Sequence, residues 1–124
     1  MAVLMSVIFT PAIRLYLKDR WTRVTLIISL FLCLVSVVLI ISLLPREDNI
    51  TLHYNIYFGI DLIGDWREIF YIPMSVVAMI VINGFVGLFI WRRNRTISYL
   101  LNIGNVFLSL LAVISCSLII YLNY

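Results

Sequence analysis

Three long uncharged apolar runs, Val24–Leu44, Ile69–Trp91 and Thr96–Tyr124, take up most of a chain of 124 residues. An apolar bilayer core about 30 Å thick is crossed by roughly 20 helical residues. Each run reaches that length. A helix also satisfies its own backbone polar groups, which hydrocarbon cannot do. The expected fold class is therefore an all-α integral membrane protein with three transmembrane helices. The expected divisions are an N-terminal interfacial segment over 1–22, spans over 24–44, 69–91 and 98–122, an outer hairpin loop over 45–68, and a basic loop over 92–97.

Composition decides against a soluble alternative. Hydrophobic residues make up 64% and charged residues 12%, against roughly 45–50% and 25% in soluble domains. Once the spans are removed nothing resembling a second core remains, so one bundle is expected. Cys33 and Cys116 both fall inside spans and read as small hydrophobes, not as a disulfide.

The net charge of +3 does not read as a nucleic-acid footprint. Arg14, Lys18, Arg20 and Arg23 precede the first run, and Arg92, Arg93 and Arg95 follow the second. Between the first two runs Arg46 and Arg67 face five carboxylates, a balance of −3. Lys and Arg hold short loops in the cytoplasm. The expected topology puts the N-terminus and the 92–97 loop inside, and the 45–68 loop and Tyr124 outside, in a bacterial inner (plasma) membrane. Arg14, Lys18, Trp21, Arg92, Arg93 and Arg95 are the expected headgroup anchors, with the lipid bilayer as partner and no nucleic acid.

Met1–Phe9 is too short to span and lacks the basic start of a cleavable signal peptide. Thr10 can cap a helix whose first position is Pro11. In that helix Ile13, Tyr16, Leu17 and Trp21 fall near one side, and Arg14, Lys18 and Asp19 on another. The expectation is a short helix in the interface plane.

Small and polar residues mark the faces through which the spans pack. In the first span Thr25, Ser29, Cys33 and Ser36 step by four, four and three. In the second Ser75, Met79, Asn83 and Gly87 step by four. In the third Asn102, Asn105, Ser109, Ala112 and Cys116 step by three and four. Helix-packing residues are thus expected at Ser29, Cys33, Ser36, Asn83, Gly87, Asn102, Asn105 and Ser109. Pro45 should stop the first helix.

The outer loop is the one polar stretch of any length. Ile50–Phe58 alternates strictly, with Ile50, Leu52, Tyr54, Ile56 and Phe58 on one side and Thr51, His53, Asn55 and Tyr57 on the other. That period signals a strand. Gly59 and Asp61 carry turn chemistry, Leu62 and Ile63 suit a return strand, and Gly64–Asp65 suit a second turn with Asp65 capping the next helix. The apolar side is expected to cover the helix ends, with Trp66, Tyr71 and Tyr54 at the interface.

His53 is the only histidine. No ligand spacing, phosphate loop or fixed nucleophile–base pair accompanies it. No enzymatic activity, cofactor or metal is therefore expected. A metal-binding membrane enzyme centred on His53 is a rival reading, and an oligomeric channel or transporter subunit using Asn83, Asn102 and Asn105 is another. The leading expectation is a non-enzymatic interaction protein with a protein or peptide partner at His53, Asn55, Tyr57, Asp61 and Trp66.

The segment His53-Tyr54-Asn55, Phe58-Gly59, Asp61, Gly64 and Trp66 resembles a bacterial membrane domain of unknown function. That domain is also found at the N-terminus of SdpI-type immunity proteins, which protect cells from a secreted killing peptide. The resemblance covers about residues 24–91. It implies a helix ending in Pro, here Leu44-Pro45, then an extracytoplasmic hairpin carrying the His, then a second helix. Two features depart from the pattern. Ile50-Thr51-Leu52 stands where the family has Pro, and the long second half of the immunity proteins has no counterpart.

Overall fold

The computed structural model describes residues 11–124, the Asp61 side chain apart. The expectations for Met1–Phe9 and Thr10 lie outside the described residues. Residues 11–18 form α1. Then come α2 (Arg20–Leu43), β1 (Ile50–Asn55), β2 (Gly59–Gly64), a 3-10 turn at Trp66–Phe70, α3 (Tyr71–Trp91) and α4 (Arg95–Leu122). Among the described residues three helices are long and apolar enough to cross a membrane: Arg20–Leu43, Trp66–Trp91 and Arg95–Leu122. At 1.5 Å per residue the shortest reaches about 36 Å.

Each break between elements has a local cause. The Asp19 N–H closes α1 on the carbonyls of Leu15 and Tyr16. The Asp19 carboxylate then accepts from the Thr22 N–H and caps α2. The first long helix thus starts four residues before the expected Val24. Leu44, which precedes Pro45, is extended (ψ 128°), because the proline ring excludes the helical conformation there. Asn94 caps α4 by accepting from the Ile97 N–H. The basic connection shrinks from the expected 92–97 to 92–94, and Arg95 and Thr96 join the helix.

The bundle is built around α4. Both α2 and α3 pack along it and meet one another far less. The face of α4 toward its partners is Ser98, Asn102, Asn105, Ser109, Ala112 and Cys116, all buried. α2 offers Thr22, Ser29, Cys33, Ser36 and Ile40. Small side chains let the backbones approach closely, and their hydroxyls return to the carbonyl one turn back, as Ser29 does to Thr25 and Ser109 to Asn105.

α3 differs from its expected stripe. Its buried residues are Pro73, Ile80, Gly87 and Trp91. Ser75 and Met79 point outward, and Asn83 is half-buried. The 3-10 turn that leads into the helix is set by Asp65, which accepts from the Arg67 N–H. Steps of four overshoot the 3.6-residue turn by about 40° each, so Ser75 and Met79 fall off the face that holds Gly87, while Pro73, Ile80 and Gly87, seven apart, share it.

At one end an apolar cluster of Ile40, Leu44, Ile50, Ile69, Cys116, Ile119 and Ile120 joins all three long helices to the first residue of β1. At the other end the basic residues gather. α1 is largely exposed there, with a single side chain buried against the bundle. Tyr16 is 3% exposed, while Trp21 is 68% exposed. The expected shared side of Ile13, Tyr16, Leu17 and Trp21 is therefore split by the break at Asp19, with Tyr16 turned inward.

Candidate functional site

Two regions carry the polar and exposed residues singled out by the sequence. One is the hairpin and the other is the seam along α4.

The hairpin is a two-stranded antiparallel sheet. It is shorter than the alternation implies. β1 ends at Asn55, and Ile56, Tyr57 and Phe58 form the turn. The Asn55 side chain accepts from the Tyr57 N–H, which bends the chain as Asn side chains do two residues ahead. Gly59 then takes φ +75°, a conformation that a side chain resists. The register slips between Thr51 and His53 and again between His53 and Tyr54. Those irregularities break the expected inner face. Ile50 is buried and Leu52 half-buried, but Tyr54, Ile56 and Phe58 are exposed.

The base of the hairpin is fastened to the end of the chain. The Asn123 Oδ1 accepts from the Thr51 N–H at 2.7 Å, and its Nδ2 donates to the Thr51 carbonyl at 2.8 Å. The amide thus stands in for a neighbouring strand along the free edge of β1. The same Nδ2 donates to the Ile119 carbonyl. Trp66 is half-buried against the apolar cluster, with the Arg46 and Arg67 guanidinium carbons 5.7 and 5.6 Å from its ring centroid. Of the residues expected to meet a partner, His53 and Tyr57 are exposed, and Asn55 and Trp66 are half-buried. Trp66 belongs to the base, and Asn55 shapes the turn. Among the described residues no three His, Cys, Asp or Glu side chains gather as a metal-ligand set.

The most exposed apolar residues of the hairpin are at its tip. Ile56 and Phe58 are 83% exposed and Tyr57 is 87% exposed. Ile60, Leu62 and Ile63 on β2 are exposed as well.

The seam holds the asparagines. The Asn83 Nδ2 donates to the Asn105 Oδ1 at 2.7 Å, joining α3 to α4. Asn102 meets Tyr16 in both directions: its Nδ2 donates to the Tyr16 hydroxyl at 3.0 Å, and that hydroxyl lies 3.3 Å from the Asn102 Oδ1. The Ser98 hydroxyl donates to the Gly87 carbonyl at 3.0 Å. Cys33 and Ser109 lie 3.6 Å apart, Sγ to Oγ. The three asparagines therefore pair within the bundle. Interhelical polar bonds of this kind contribute about 0.6–2 kcal/mol each.

At the basic end the Tyr99 hydroxyl donates to the Asp19 carboxylate at 3.0 Å. Burial raises the pKa of Asp19. The hydrogen bonds from Thr22 and Tyr99, with the Arg95 charge nearby, outweigh that and hold it below the ordinary aspartate value. The Arg95 guanidinium carbon sits 4.7 Å from the centre of the Trp91 ring, and that ring meets Tyr16 edge-on. Arg14, Lys18, Trp21, Arg92, Arg93 and Arg95 are all exposed.

Sequence reasoning missed Tyr16, Ser98, Asp19 and Asn123 as cross-linking residues. Their partners lie 86, 11, 80 and 72 positions away. No local period reports such pairs. The comparisons with known proteins give no relative to lean on, since no family model, curated protein or solved structure matches the chain.

Proposed function

We propose that the chain is a small polytopic protein of a bacterial inner membrane, without enzymatic activity, that acts by protein or peptide contacts at its hairpin. The observation that carries this reading is the tip. A turn of Ile, Tyr and Phe left uncovered by the rest of the chain forgoes the burial that each side chain would otherwise gain, about 1.5–3 kcal/mol for a large apolar residue. Exposed apolar patches of this sort mark interaction sites, and Tyr is among the residues enriched where partners meet. Ile60, Leu62 and Ile63 extend the patch along β2. The resemblance to the domain at the N-terminus of SdpI-type immunity proteins supports the same class of role through residues 24–91. The orientation that goes with it places the basic end in the cytoplasm and the hairpin and Tyr124 outside, from the Lys/Arg distribution.

Partner contact is tested by a photoreactive phenylalanine at position 57, irradiated in intact cells. The expected result is a discrete protein or peptide adduct that disappears in the Ile56→Ser/Phe58→Ser variant. Adducts to lipid alone would replace this reading with insertion of the tip into the bilayer surface.

Orientation is tested with single cysteines, since the native Cys33 and Cys116 are buried. Tyr57→Cys should react with a membrane-impermeant maleimide in intact cells, and Arg93→Cys only after lysis. The reverse pattern would invert the topology.

A further inference from the structure

The chain treats the two edges of its hairpin differently. β1 is covered, because the Asn123 amide bonds both the N–H and the carbonyl of Thr51. β2 has no such cover among the described residues. α4 packs against β1, and β2 is held chiefly by β1. Ile60, Leu62 and Ile63 are exposed, and Asp61 is the one charged residue of the strand. The lysines and prolines that usually blunt an edge strand are missing from it.

The register shows which backbone groups that edge offers. In an antiparallel ladder, two residues directly opposite each other either bond one another or both turn their N–H and carbonyl away. Thr51 stands opposite Ile63. Both polar groups of Thr51 go to Asn123, so this pair is of the second kind. The N–H and carbonyl of Ile63 therefore point outward from β2.

We propose that the outer edge of β2 takes up an extended peptide strand bearing Lys or Arg, about six residues long, bonded to the N–H and carbonyl of Ile63. This deepens the partner reading of the hairpin and rests on it. Two observations select the occupant. First, a free donor and acceptor on one residue of an exposed strand is what an added strand completes, with its side chains meeting those on either face. Six residues match the six of β2 and extend about 20 Å. Second, the charge around this edge is negative. Residues 45–68 carry a balance of −3. The Glu68 Oε2 lies 2.8 Å from the point where a Cβ on Gly64 would stand, so an exposed carboxylate borders the last residue of β2. Arg46 and Arg67 are placed by the Trp66 ring instead. A cationic strand is attracted to such an edge. A second copy of this chain would bring the same negative balance to it and be repelled.

The test uses the full chain in phosphatidylcholine nanodiscs and two probes, hexapeptides of alternating Lys and Val or of alternating Glu and Val. Amide exchange is read by nuclear magnetic resonance on isoleucine and threonine labelled with nitrogen-15. In the free chain the Ile63 amide should exchange freely while the Thr51 amide is protected by Asn123. The Lys/Val peptide should protect Ile63, and the Glu/Val peptide should not. Ile63→Pro removes the outward N–H and spares the pairing with β1, as proline does at a strand edge. It should weaken the Lys/Val peptide about fivefold, the factor one net hydrogen bond supplies, with Thr51 still protected. Unchanged binding in Ile63→Pro, or equal binding of the two peptides, would overturn the proposal. So would an Ile63 amide already protected in the free chain, and protection lost when each nanodisc holds one chain would assign the edge to a second copy. Failure of these tests while the adduct at position 57 still forms would remove the edge alone. An absent adduct would remove the partner reading, and the edge with it.

Discussion

Gly87→Val is expected to lower the stability of the bundle by about 3 kcal/mol, the upper end of what overpacking a close contact costs. A Cβ on Gly87 would stand 2.6 Å from the Tyr16 hydroxyl oxygen and 3.2 Å from the Ser98 Oγ. The first distance is closer than real carbon–oxygen contacts allow, so Tyr16 must leave. It is not a loose side chain that can swing aside. Its hydroxyl is bonded to Asn102, its ring packs edge-on to Trp91, and it is buried. Displacing it unseats α1 from α3 and α4 together. The measurement is reversible unfolding in detergent micelles, followed by far-ultraviolet circular dichroism. A milder pair of variants checks the cause. The Tyr16 Cζ is 3.5 Å from the added Cβ, an ordinary contact, so Tyr16→Phe should recover part of the loss caused by Gly87→Ala. The same Tyr16→Phe change in a chain with Gly87 intact should only destabilise. If Gly87→Ala costs the same with Tyr or Phe at position 16, the close approach is not the reason for the glycine.

The parts of this arrangement that the sequence exposes are those governed by one helix's own period. Asn102, Asn105, Ser109, Ala112 and Cys116 step by three and four, and all are buried on α4. The same holds for Ser29, Cys33 and Ser36 on α2. Elsewhere the apparent period misleads. On α3 a strict step of four drifts around the helix, and Ser75 and Met79 fall outside. On the hairpin the alternation of Ile50–Phe58 runs straight through the turn. A regular period cannot show that Asn55 bends the chain by bonding to Tyr57, or that the register slips around His53. The contacts that tie the ends together are the least legible. Asn123 clasps Thr51, and Tyr16 clasps Asn102, because folding brings distant segments together. Nothing near either residue in the chain announces its partner.

The Tyr16–Asn102 pair gives the second large effect. Asn102→Leu keeps the branching of the side chain, with bulkier methyl groups at its end, and leaves the buried Tyr16 hydroxyl without that partner; a stranded buried polar group costs about 1–3 kcal/mol. Average bonds between membrane helices are weaker, about 0.6 kcal/mol, because in the unfolded reference state the polar groups still find partners within the bilayer. That discount does not apply to Tyr16. It lies on α1, outside the three apolar helices, and on release its hydroxyl meets the hydrated headgroup region expected for this segment, where it is solvated. The larger figure is therefore the right one. Asn102 is buried with 1% of its surface exposed, so Tyr16→Phe strands its amide; Asn102 lies on a membrane-length helix, so the discount does apply to it and the expected cost is smaller, about 0.6 kcal/mol. The double variant Tyr16→Phe/Asn102→Leu strands neither group. It should be less destabilised than the sum of the two single changes by about 1–2 kcal/mol, the coupling typical of residues in direct contact. Equilibrium unfolding of the four chains in one detergent supplies the cycle. Additive losses would mean that the two side chains stabilise the bundle separately, and that α1 is held by Tyr16 packing on Trp91 and Gly87 instead of by its hydroxyl.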